Sequence, residues 1–156
     1  MSFGQDDLET MLSAGDLELC SVSIEGATAL IAKARVHHQT AAGLANTDPE
    51  IALDALHAGN RKALDAVLLA RGLRATKDGG HIATEEAVRA TLGGGRLPAL
   101  RVYSVVRRAR HEADYESATV DARADDVEDN LDDSAALVDA CEKLIDSVPP
   151  FTPGRR

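Results

Sequence analysis

Thr47-Asp-Pro-Glu-Ile-Ala-Leu-Asp-Ala-Leu-His-Ala-Gly-Asn-Arg-Lys-Ala-Leu-Asp-Ala-Val-Leu-Leu-Ala-Arg-Gly72 is the stretch whose pattern settles the fold class. Its first residues carry a helix start signal, either a Thr47/Glu50 capping box or Asp48 as N-cap with Pro49 in the first turn. Leu53, Leu56, Ala63, Leu64, Val67 and Leu68 then fall on one stripe of a helix, because their spacings sum from steps of three and four. Gly72 can take the left-handed conformation that closes such a helix. A helix with an apolar stripe of this length needs other surfaces to cover it, and the flanking sequence offers them at the same period.

Upstream, Ala27, Ile31, Ala34, Ala41 and Ala45 paint a stripe from Ile24 to a helix end near Asn46. Leu8, Met11 and Leu12, before Gly15, suggest a short N-terminal helix. Downstream, Arg74 to Gly80 reads as a loop and Ile82 to Leu92 as a short helix broken by Gly93-Gly94-Gly95. Pro98 opens a helix to about Glu116, with Leu100, Val102, Val106, Ala109 and Ala113 toward the core. Val127, Leu131, Val138, Cys141, Ile145 and Val148 define a last long helix, flanked by Leu137 and Leu144 and stopped by Pro149-Pro150. Residues 149–156 are expected to form a loose tail. With no period-2 run, no internal repeat and no second domain, residues 1–156 read as one all-α domain, an antiparallel bundle of five or six helices.

Composition agrees. Tryptophan is absent and aromatic residues make up 3% of the chain, so the core has to be packed from alanine and aliphatic side chains, as helices favour. Cys20 and Cys141 lie in neither a metal-type nor a redox-type spacing, which is the usage of a reducing compartment. The longest apolar run, Ala66 to Ala70, falls far short of the roughly 20 residues of a membrane span, and the first residues carry no secretory pattern. A cytoplasmic location with no membrane partner is therefore the expectation. Asp54-Ala-Leu-His57 has the acid-x-x-His spacing of metal-carboxylate bundles, but matching ligands on other helices are only scattered, so neither a metal centre nor another cofactor is expected. His38 falls in line with Ile31, Ala34, Ala41 and Ala45, as a satisfied core histidine would, and His37 beside it is expected to be exposed. No P-loop, Rossmann fingerprint or nucleophile elbow occurs.

Charge is unevenly distributed. Residues 1–60 carry 2 basic and 9 acidic groups, residues 61–110 carry 11 and 4, and residues 111–156 carry 4 and 13. The net charge of −9 disfavours a non-specific grip on double-stranded DNA, while a local basic face can still hold a few phosphates at short range. The run from Glu112 to Asp133, with Arg123 as its only cation, reads as a solvated helix face and loop.

The basic charge is densest in Leu97-Pro-Ala-Leu-Arg-Val-Tyr-Ser-Val-Val-Arg-Arg-Ala-Arg-His-Glu-Ala-Asp-Tyr115. Steps of three and four place Arg101, Ser104, Arg108, His111 and Tyr115 near one face, where a phosphate-sized anion could be gripped. Arginine suits that task through its planar fork of donors, and an imidazole can transfer protons near neutral pH. The competing account is solvent-facing pairing, since Arg108 and Glu112, and Arg110 and Asp114, are four apart.

Ala63-Leu-Asp-Ala-Val-Leu-Leu-Ala-Arg-Gly-Leu-Arg-Ala-Thr76, Gly79-Gly-His-Ile82 and Arg107-Arg-Ala-Arg-His-Glu-Ala-Asp-Tyr115, in this order, resemble a bacterial subgroup of the HEPN superfamily of small helical bundles. That subgroup couples a Gly-Leu-Arg turn and a Gly-His loop to an Arg-Asn-x-x-Glu-Tyr-like motif, and the resemblance spans residues 24–148. The superfamily signature is an arginine, four to six residues, then a histidine. Arg110 matches the arginine and His111 the polar residue that often follows it, while Tyr115 stands where the shortest form has its histidine. The resemblance implies metal-independent RNA cleavage, with the histidine as acid or base and the arginine stabilising the transition state in a cleft shared by two subunits. A tyrosine, with an ordinary pKa of about 10, is a poor base at neutral pH, so this departure points to binding without cleavage.

The residues this reading assigns are Arg110, His111 and Tyr115 at the former reaction centre. Arg101, Ser104, Arg107, Arg108, Asp114 and the loop residue His81 are the surrounding ligand contacts. The expected molecule is a homodimer that binds RNA or a nucleotide-like anion. The implied setting is a toxin, defence or stress-response system with an antitoxin or nucleotidyltransferase partner. An active ribonuclease and a protein-interaction module are the alternatives.

Overall fold

A computed structural model describes residues 2–93, 98–115 and 122–154, with the side chains of residues 81 and 113–115 outside that description. Six helices are described: α1 (Gln5–Ser13), α2 (Ile24–Leu44), α3 (Pro49–Arg71), α4 (Gly80–Thr91), α5 (Leu100–Tyr115) and α6 (Ala124–Ile145). The all-α bundle expected from the sequence is the observed architecture. Asp48 is the N-cap of α3, its Oδ1 accepting from the Ile51 amide at 3.2 Å, and Pro49 opens the helix. Gly72 closes it at φ 79°.

Helix α3 is the axis of the molecule, packed against α2, α4, α5 and α6. Its leucine stripe is buried as expected, but Ala52, Ala66 and Ala70 along one edge of the stripe are buried too. Alanine lets several neighbours approach one helix at once, which a single stripe does not reveal. Helices α2 and α3 form an antiparallel hairpin: the Ser23 amide reaches the Leu69 carbonyl at one end, and His38 meets Asn60 midway. On the outside, Arg35 of α2 bridges to Asp139 and Glu142 of α6.

Two features depart from the sequence reading. The segment expected as a loop after Gly72 begins with a strand, β2 (Leu73–Ala75), which pairs antiparallel with β1 (Leu17–Leu19) in the register Leu17↔Ala75, Glu18↔Arg74 and Leu19↔Leu73. Three residues are too few to display an alternating pattern, and the pairing partner is remote in sequence.

The second departure is the C-terminal segment. It was expected to be loose, but through Gly154 it is held down: the Phe151 side chain is buried, its amide donates to the Arg71 carbonyl at 2.8 Å, and the Gly154 amide donates to Glu9. Arg71, only 2% exposed, causes this. Its guanidinium donates to the carbonyls of Pro149 and Phe3 and to the Thr91 hydroxyl, between the rings of Phe3 and Phe151, each 5.8 Å away. A buried cation with no carboxylate partner among the described residues is tolerated because carbonyl dipoles and two aromatic faces replace its water. The chain's only two phenylalanines, one near each terminus, are both used here.

Candidate functional site

Helix α5 lays Leu100, Val102, Tyr103 and Val106 into the core. At the rim of this buried stripe, Arg107 and Arg110 point toward α4 and α3, each backed by a carboxylate from the neighbouring helix. Arg110 Nε donates to Asp54 Oδ1 of α3 at 2.8 Å, with the two side chains 35% and 40% exposed. A terminal nitrogen of Arg107 lies 3.9 Å from Glu85 Oε2 of α4, whose side chain is only 10% exposed.

Glu85 gathers several donors. Its Oε1 accepts from the Ser104 hydroxyl at 2.6 Å and from Arg89 at 3.1 Å. The Nε of Arg107 is buried and has no hydrogen-bond partner among the described residues. Between α4 and α3, Thr84 donates to Asp65 Oδ1 at 3.2 Å, and Arg61 stands 3.7 Å from Asp65 Oδ2. Burial raises the Asp65 carboxyl above the usual range, opposed by Arg61 and Thr84. Burial likewise pushes the Tyr103 phenol up, with Arg61, Asp65, Glu85 and Arg107 as its charged surroundings. The His57 ring lies 5.5 Å from that of Tyr103.

The expected site residues divide accordingly. Ser104 and Arg107 both meet Glu85 of α4, while Arg110 meets Asp54 of α3. Arg101 and Arg108 are exposed on another side of α5, Arg108 Nε reaching only the Ser104 carbonyl at 3.4 Å. Arg101 lines a hollow between α5 and α6 with Val105 and Asp133. His111 is exposed. Tyr115 and Asp114 are in the last turn of α5 and His81 in the first turn of α4, but all three side chains lie outside the described residues. Ser104 therefore parts from Arg101 and Arg108: its hydroxyl turns in to Glu85, so the single outward face expected for these residues is split.

Sequence reasoning missed Arg61, Asp65, Thr84, Glu85 and Arg89, and it weighed Asp54 only as a metal ligand. A signal was present: Glu85 interrupts the apolar side of α4 formed by Ala83, Ala87 and Val88, all buried. A carboxylate at such a position demands donors from a neighbouring element. The cluster can offer guanidinium donors to an oxyanion, while the Ser104 and Thr84 hydroxyls are spent on Glu85 and Asp65. No family model, curated protein or solved structure matches the chain.

Proposed function

We propose that the chain is a HEPN-like helical bundle that binds RNA or a nucleotide-like anion through Arg107 and Arg110 and does not cleave it. The observation that carries this reading is Arg107. Its guanidinium approaches, at a long 3.9 Å, the same Glu85 carboxylate that the Ser104 hydroxyl holds, with the Arg107 side chain 27% exposed and its Nε buried without a partner among the described residues. The terminal nitrogens are the part of this guanidinium that can meet a ligand, because their approach to Glu85 is too long for a full hydrogen bond. Arg110, one helical turn on, adds a second fork. Exposed Arg101 and Arg108 raise the local potential on an otherwise acidic protein.

Binding without cleavage follows from the chemistry of the residues. Arg110 is engaged by Asp54, and a tyrosine occupies the position where an imidazole would serve as base. A homodimer belongs to the same proposal, because two copies of α5 would double the positive field. So does a toxin, defence or stress-response role alongside an antitoxin or a nucleotidyltransferase.

The test is to incubate purified protein with labelled mixed-sequence RNA in EDTA and to measure both binding and products, beside Arg110→Ala. The proposal expects salt-sensitive binding that weakens by about tenfold in the variant, the scale of one charge-assisted hydrogen bond, and no product. Cleavage abolished by Arg110→Ala would establish a ribonuclease instead. Absence of binding by both proteins would leave a protein-interaction module.

A further inference from the structure

Glu85 and Asp54, the carboxylates seen against Arg107 and Arg110 among the described residues, differ in one respect that decides what each can do. Glu85 is 10% exposed at its side chain and accepts from Ser104 at 2.6 Å and Arg89 at 3.1 Å, so swinging out would break two hydrogen bonds at once and leave the half-buried Ser104 hydroxyl without its acceptor. Asp54 is 40% exposed, and the Arg110 it binds is 35% exposed. Ion pairs this open to water contribute little, because solvent screens the attraction and both partners are readily hydrated when apart. An incoming anion can therefore replace Asp54 at Arg110, whereas it cannot replace Glu85 at Arg107.

We infer that Asp54 is a resident competitor for the ligand: its carboxylate pairs with the Arg110 guanidinium, and a phosphodiester oxygen must displace it. This inference rests on the anion-binding reading and deepens it. Arg107, held by an immovable carboxylate, is the permanent part of the receptor. Arg110 is the part that changes partner. Asp54 sets the affinity threshold in two ways, by competing for the guanidinium and by repelling any anion that approaches it. Weak monoanions then fail to displace it, while a nucleic-acid strand, which presents successive phosphates to both arginines, succeeds.

A double-mutant cycle tests this with fluorescein-labelled, mixed-sequence single-stranded RNA as the probe and anisotropy as the readout. Asp54→Asn is expected to tighten binding about three- to fivefold, the scale of an exposed ion pair. The gain is expected to vanish in the Arg110→Ala background. Glu50→Gln, which removes one exposed charge a turn earlier on α3, controls for net charge and is expected to give less than half of that gain. A gain from Asp54→Asn that persists without Arg110, or that Glu50→Gln reproduces in full, overturns the inference and leaves only long-range electrostatics. Weaker binding by Asp54→Asn also overturns it, making Asp54 a positioning residue for Arg110. If none of the proteins binds RNA, the anion-binding reading itself fails, an outcome distinct from the others.

Discussion

Asn60 shows what a single buried residue does in this fold. It is 0% exposed, its Oδ1 pairs with His38 Nε2 at 2.9 Å, and its Nδ2 donates to the Ser134 hydroxyl at 3.1 Å, so one amide joins α3 to both α2 and α6. Asn60→Ala leaves both partners unsatisfied and is expected to cost about 1–3 kcal/mol in urea unfolding. The same contact carries a pH dependence. Burial holds the His38 imidazole below its ordinary pKa of 6.5 against the Asn60 hydrogen bond, and nearby His37 and Arg35 push the same way. His37 is also lowered, by burial, Lys62 and Lys33. The unfolded imidazoles then take up protons before the folded ones do. Stability is complete above about pH 6.5 and is lost as the pH falls through the lower folded values. His38→Gln is expected to flatten that decline in unfolding midpoints followed from about pH 7.5 to about pH 5.5, leaving the part due to His37.

Among the elements, the long helices were legible because each announces itself locally: the Asp48-Pro49 start, the Gly72 stop and the stripes of α2, α3 and α6 all act within a few residues of chain. What was not legible depends on contacts between segments far apart. Strands β1 and β2 are too short to carry a period. The carboxylates behind Arg107 and Arg110 come from α4 and α3, whose placement against α5 no local pattern specifies. Interval arithmetic also sets the proposed Arg107–Arg110 pair apart from the Arg110–Tyr115 pair expected from the sequence. Positions five apart on a regular helix are rotated by about 140°, whereas positions three apart are rotated by about 60°. Helix packing makes its own prediction at Gly59, where α3 meets α2. A Cβ there would stand 2.6 Å from His38 Cδ2 and 2.9 Å from the Ala34 carbonyl oxygen. Gly59→Ala is expected to push the two helices apart and lower stability by about 1–3 kcal/mol in the same unfolding assay.

At the scale of the whole molecule, both chain ends close on Arg71. Helix α1 packs chiefly on α4 and β1, and Gln5 donates to the Thr152 carbonyl at 2.8 Å, so the N-terminal helix and the C-terminal segment form one outer layer over the α2–α3–α6 core. Phe151→Ala is expected to cost about 3 kcal/mol and to raise amide hydrogen exchange in α1 as well as at its own site. Unchanged exchange in α1 would show that the two ends are independent. The same layering leaves α5 and its arginines on the opposite commitment: the helix is anchored by Leu100, Tyr103 and Val106 and presents charge outward. A molecule of net charge −9 with a basic middle third is suited to short-range capture of an anion and ill suited to a long-range grip on nucleic acid. The most direct measurement is therefore the affinity for single-stranded RNA as a function of salt, in the native protein and in Arg107→Ala/Arg110→Ala. The account predicts that the double variant binds more weakly and that its log–log salt slope is shallower by about 1.4, the release expected for two lost phosphate contacts. Equal affinity and an equal slope in the two proteins would contradict it.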